Sequence, residues 1–125
     1  MKILVVDDND IMITVFQNIL SGYKVFTAES ADKALELIRY QEFDLVITDY
    51  HMPEKNGFYL LEKMRSAPEY AINKNTPAII CTADHDEQLM EQAKLKKLKI
   101  SQFIHKPFTK EQIISAIQNM DMIIF

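Results

Sequence analysis

Five short runs rich in apolar and β-branched residues punctuate the chain: Ile3 to Val6, Tyr23 to Ala28, Leu45 to Thr48, Ala78 to Cys81 and Gln102 to His105. Most are nearly solidly apolar, as strands covered on both faces must be. After each comes a stretch with apolar residues at steps of three and four, the helical period. Strand–helix alternation of this kind folds as an α/β sandwich, a doubly wound five-stranded parallel sheet with five helices.

The helices are expected as follows. The first runs from about Asp10 to Ser21, with Ile11, Val15, Phe16, Ile19 and Leu20 facing inward and Gly22 stopping it. Ser30 caps the second, whose stripe is Ala34, Leu35, Leu37 and Ile38. Phe58, Leu60, Leu61 and Met64 mark the third, after Gly57. The segment 67–77, rich in Pro, Asn and Lys, reads as a loop. A fourth helix follows Thr82 to Asp86 and ends near Lys97; Thr109 caps the fifth, with Ile113, Ile117 and Met120 on one face.

At 125 residues the chain is expected to be one domain, residues 1–125, large enough to bury a core without staples. A net charge of −4 argues against a general nucleic-acid binder. Cys81 has no cysteine to pair with and sits in an apolar run, where a buried hydrophobe is the expected role. No apolar stretch reaches the ~18 residues of a membrane span. The acids that follow Val6 argue against a signal peptide. A cytoplasmic protein that avoids membranes is expected.

The chemistry lies at the strand ends. Asp7 and Asp8 end the first strand, Asp49 the third, Thr82 the fourth and Lys106 the fifth. In a parallel sheet these ends share one edge, where ligands bind. Met52-Pro53 and Asn56-Gly57 force a loop directly after Asp49. Each pair of carboxylates ~4 Å apart costs about 4 kcal/mol at an effective dielectric of about 20. Such a cluster takes up protons or recruits a cation. Hard oxygen ligands and small size suit Mg²⁺. With the cation in place, one carboxylate can serve as a nucleophile toward phosphorus.

Four motifs then resemble a known family. Val-Val-Asp-Asp-Asn (Val5 to Asn9), Ile-Thr-Asp-Tyr-His-Met-Pro (Ile47 to Pro53), Cys-Thr-Ala (Cys81 to Ala83) and Phe-Ile-His-Lys-Pro-Phe (Phe103 to Phe108) occur in the order found in response-regulator receiver domains of two-component signalling. The resemblance spans Lys2 to Met120 and implies a flavodoxin-like sheet of order 2-1-3-4-5. It implies that Asp49 accepts a phosphoryl group from a sensor histidine kinase or histidine phosphotransfer protein. Asp8, Asp49 and the backbone carbonyl of His51 would ligate Mg²⁺, with Asp7 acting mainly through a coordinated water. Lys106 and Thr82 would hold the phosphoryl oxygens, and Lys106-Pro107 would be cis. His51 and Asp84 would tune the lifetime of the phosphorylated state. Thr82 and Phe103 would relay it to a downstream effector through the face of helix 4, strand 5 and helix 5; plain core remains the other reading of Phe103.

Three departures stand out: Asn56-Gly57 for Asp-Gly, Lys97 to Ser101 where Gly-Ala is usual, and a long 67–77 segment. Competing readings are an aspartate-nucleophile phosphatase, a flavin module and a receiver that binds partners without phosphorylation. The flavin reading lacks a phosphate-cradling loop after the first strand, where Asp-Asp-Asn-Asp stands instead. The first helix carries an apolar arc wider than burial requires, with Ile11 and Ile13 near its edges, suited to docking a donor helix.

Overall fold

The structure, a computed structural model, describes residues 1–83, 87–123 and 125. The strands are β1 Lys2–Val6, β2 Lys24–Ala28, β3 Leu45–Asp49, β4 Ala78–Thr82 and β5 Ile100–His105. They form one all-parallel sheet in the order β2-β1-β3-β4-β5, as expected. The helices are α1 Asp10–Ile19, α2 Ala31–Tyr40, α3 Gly57–Ser66, α4 Glu87–Leu95 and α5 Lys110–Gln118. The period of two in each strand splits the core. Ile3, Val5, Ile47, Ile79 and Ile104 pack with Phe16 of α1, Leu20 at its C-terminal cap, and Ile113 and Ile117 of α5. Leu4, Val6, Val46, Ile80 and Ile100 pack with α2, α3 and α4 on the other face.

Caps explain the helix starts. Asn9 accepts the backbone N–H groups of Ile11 and Met12, and Ser30 that of Lys33. Thr109 and Gln112 form a reciprocal capping box on α5.

Several boundaries and placements differ from the sequence reading. Ile11 is 74% exposed and does not face the core; Phe16 and Leu20 are the fully buried members of that arc. The segment 67–77 is not a plain loop but holds a 3-10 helix, Pro68–Asn73. Asn73 anchors it: its side chain accepts from Phe43 N and donates to the Ile38 and Gln41 carbonyls, at 2.6–2.9 Å. β5 begins at Ile100, two residues early, because Arg65 fixes the chain ahead of it. The guanidinium donates to the carbonyls of Leu98, Lys99, Lys74 and Thr76. Lys97 and Lys99 flank that turn with left-handed φ of 54° and 58°, where glycine would be the easier residue.

Candidate functional site

Each strand delivers its last residues to the same edge. Asp7 N–H donates to Ala28 O at 3.1 Å, so β1 stays in line for one residue beyond its end and Asp7 is buried. Asn9, one position past Asp8, then starts α1, and Asp8 is left exposed. β3 carries Asp49 to within the same edge, 8% exposed. Lys106 N–H donates to Thr82 O at 2.8 Å, which continues the β4–β5 pairing and sets Lys106 beside Thr82. Thr82 is buried at the end of β4. The Lys106-Pro107 peptide is cis.

Lys106 Nζ lies 3.2 Å from Asp7 Oδ2 and 3.4 Å from Asp49 Oδ2. Carboxylate oxygens of Asp7, Asp8 and Asp49 all fall within 4.8 Å of one another. Three acids against one ammonium leave two negative charges uncompensated when all are ionised. Burial pushes the Asp49 carboxyl up from its ordinary value; Lys106 pulls it back, and Asp7 and Asp8 push it further up. Burial works to lower Lys106, but attraction to Asp49 and Asp7 outweighs it and holds the ammonium above its ordinary value. An oxygen-rich, over-charged cluster of this kind fits a small hard dication. Asp7 is the least free of the three, because its Oδ1 accepts the Asn9 N–H at 2.9 Å and its Oδ2 faces Lys106.

The loop after Asp49 folds back tightly. Gly57 N–H donates to Tyr50 O at 2.9 Å. A Cβ on Gly57 would meet the Asp49 carbonyl at 2.6 Å, so glycine is required here by close approach. Its φ is not positive; the left-handed residue of the loop is Glu54, at 71°, and Asn56 caps α3. The Asn56-Gly57 pair closes the expected loop by starting α3, with Asn56 as its cap. His51 is exposed, its ring edge-on to Tyr50 at 4.8 Å. Phe103 is half-buried on the α4 side. Asp84 lies outside the described residues.

Two features had no role in the sequence reading. Tyr50 packs edge-to-face on Phe58 at 4.9 Å, linking the loop to α3; its position next to Asp49 was the available signal. Phe108 packs against Phe16 at 5.2 Å with the rings tilted by 39°, and lines a groove of about 350 Å³ with Met12, Val15, Pro107 and Lys106, the lysine that meets Asp7 and Asp49.

A doubly wound parallel α/β protein with an acid cluster at its topological switch point is thus defined by geometry alone. The response regulator receiver domain model matches residues 3–118, and the chain belongs to that family. It is 34% identical over 113 residues to chemotaxis protein CheY-3 of Vibrio cholerae, covering 87% of this chain and 82% of that one. It is 33% identical over 119 residues to hybrid signal transduction histidine kinase D of Dictyostelium discoideum, covering 94% of this chain but 7% of the kinase. The chain thus spans 7% of that kinase and 82% of the chemotaxis protein. The structure of Vibrio cholerae chemotaxis protein CheY4 superposes with a TM-score of 0.85 at 27% identity, covering 95% and 97% of the two chains. The chain is a receiver domain of two-component signalling. Among the described residues, no helix is long and apolar enough to cross a membrane.

Proposed function

We propose that residues 1–125 act as one receiver that takes a phosphoryl group on Asp49 from a phosphohistidine of a sensor kinase or phosphotransfer protein. The observation that carries this reading is the Lys106 ammonium held against both Asp7 and Asp49 beside a third carboxylate. In the transfer, an Asp49 oxygen forms a bond to phosphorus as the histidine N–P bond breaks, and the imidazole leaves neutral or takes up a proton. Asp8, Asp49 and the His51 carbonyl would hold Mg²⁺, with Asp7 bearing on it through water. The dication supplies charge neutralisation to the transferred group. Lys106 and the Thr82 hydroxyl stabilise its equatorial oxygens from the protein side.

The activity is self-phosphorylation and slow self-dephosphorylation, without turnover of an external metabolite. Such a protein works in the cytoplasm and binds neither nucleic acid nor membrane directly. The donor helix docks along α1 and the groove at Met12, Val15 and Phe108, next to Asp49. The downstream effector reads the face of α4, β5 and α5, reset as Thr82 and Phe103 move on phosphorylation. His51 and Asp84 set the phosphoryl lifetime; exchanging both without changing the half-life would remove that role.

The test is treatment with acetyl phosphate and Mg²⁺, followed by hydroxylamine, which cleaves an acyl phosphate and leaves a hydroxamate. The hydroxamate is expected at residue 49. A label that resists hydroxylamine, or one placed elsewhere, would exclude an aspartyl phosphate at Asp49. Rapid hydrolysis of a generic phosphate ester would favour the phosphatase reading instead.

A further inference from the structure

Five rings run in series from the residues beside Asp49 to Phe125. His51 meets Tyr50 at 4.8 Å, Tyr50 meets Phe58 at 4.9 Å, Phe58 meets Phe103 at 6.4 Å, and Phe103 meets Phe125 at 5.0 Å. All four contacts are edge-to-face, the favoured geometry for such rings. Phe125 is brought to this place by the backbone. Its N–H donates to Ile100 O at 3.0 Å, and Ile100 N–H donates to its carbonyl at 3.2 Å. A pair that exchanges both bonds is the hydrogen-bonded pair of an antiparallel ladder. Ile100 opens β5, which is an edge strand of the sheet. Lys94 of α4 places its ammonium over the Phe125 ring at 5.4 Å. One residue thus touches the edge strand, α4 and the aromatic of β5 at once.

We propose that Phe125 is a latch on Phe103: it occupies the α4–β5 face while Asp49 is unmodified and is released when Asp49 carries a phosphoryl group. The proposal rests on the receiver reading above. In the receiver reading Phe103 shifts toward Thr82, and a shift that carries its ring away from Phe125 would open the 5.0 Å contact. That contact therefore weights the unmodified state, and its loss frees the outer edge of β5 at Ile100. A freed edge strand offers unpaired backbone groups to a partner. The cis occupant and an effector then compete for one surface, with the state of Asp49 deciding between them.

The experiment is amide hydrogen exchange at Ile100 in the full chain, with the β1 and β3 amides as controls for folding. Without any phosphodonor, Phe103→Ala is expected to speed Ile100 exchange about 2- to 10-fold, the range for losing one aromatic pair. Phe103→Leu serves if the alanine variant loses β1 and β3 protection. An unchanged Ile100 rate in the folded variant shows that the two rings are not coupled and overturns the proposal. With acetyl phosphate and Mg²⁺, the unaltered protein is expected to show a similar rise at Ile100, and Phe125→Ala to gain its phosphoryl group about 2- to 10-fold faster. Full phosphorylation with an unchanged Ile100 rate overturns the latch while leaving the receiver reading intact. No gain of phosphoryl mass at all overturns that reading and the latch with it, and shows as a missing mass.

Discussion

Lys106 Nζ sits 3.4 Å from an Asp49 oxygen, yet the ammonium does not bring Asp49 back to an ordinary carboxylate. Burial, with Asp7 and Asp8 nearby, outweighs it and leaves the Asp49 value raised. The folded state therefore binds this proton more tightly than the unfolded chain does. Its contribution to stability is fully present below the unfolded value and is lost as pH rises through the folded one. In metal-free protein, Asp49→Asn is expected to raise the urea midpoint at neutral pH and to do so less at pH 4. Mg²⁺ at one hundred times its Kd should add about 2.7 kcal/mol to the unaltered protein at neutral pH. A lower midpoint for Asp49→Asn at neutral pH would contradict this balance of charges.

Asp8 and Asp7 should not contribute equally to metal binding. Asp7 is already engaged by Lys106 and by the Asn9 N–H, whereas Asp8 is exposed. Loss of an outer ligand typically costs about 10- to 100-fold in affinity. Asp7→Ala is expected in that range and Asp8→Ala beyond it, in a Mg²⁺ titration. Equal affinities would count against direct ligation by Asp8.

Ile11 offers a clean probe of donor docking. It is 74% exposed, so its truncation leaves the core untouched, whereas Ile13 is half-buried. Ile11→Ala is expected to slow phosphotransfer from a phosphohistidine protein about 10-fold, the size of one good apolar contact, and to leave labelling by acetyl phosphate unchanged. Ile13→Ala should act in the same direction. Equal slowing with both donors would mean a damaged fold, and no slowing with either would remove α1 from the interface.

Arg65 holds two loops through four carbonyls, and burial lowers its guanidinium to about 10. Arg65→Ala is expected to cost about 2–4 kcal/mol in urea unfolding, because four carbonyls, those of Leu98 and Thr76 partly buried, lose a charged donor. Arg65→Lys should recover little, since an ammonium cannot span the same fork. Lys97→Gly and Lys99→Gly should each gain up to about 1 kcal/mol by relieving the left-handed backbone. A loss of stability in either glycine variant would show that its side chain contributes more than the turn costs.

The strand ends were legible because apolar runs stop sharply at Asp7, Asp49 and Thr82, and a parallel sheet must gather them. The wider errors came from tertiary contacts that leave no local pattern. Composition marked 67–77 as loop, but Asn73 is buried and satisfied by partners 30 to 35 positions away. Helical spacing put Ile11 on the inner arc, but the start of α1 is exposed and burial falls on Phe16 and Leu20 further along. Asn56-Gly57 marked the end of the loop, but that glycine is demanded there by the nearby Asp49 carbonyl could be seen only in the fold. Nothing near Phe125 in sequence signals a partner at Ile100.

The central claim is tested most directly by intact mass after incubation with acetyl phosphate. The expected result is a gain of one phosphoryl group with Mg²⁺, none with a chelator in its place, and none in Asp49→Ala. Full labelling of Asp49→Ala, or equal labelling with the metal removed, would contradict the account of this site.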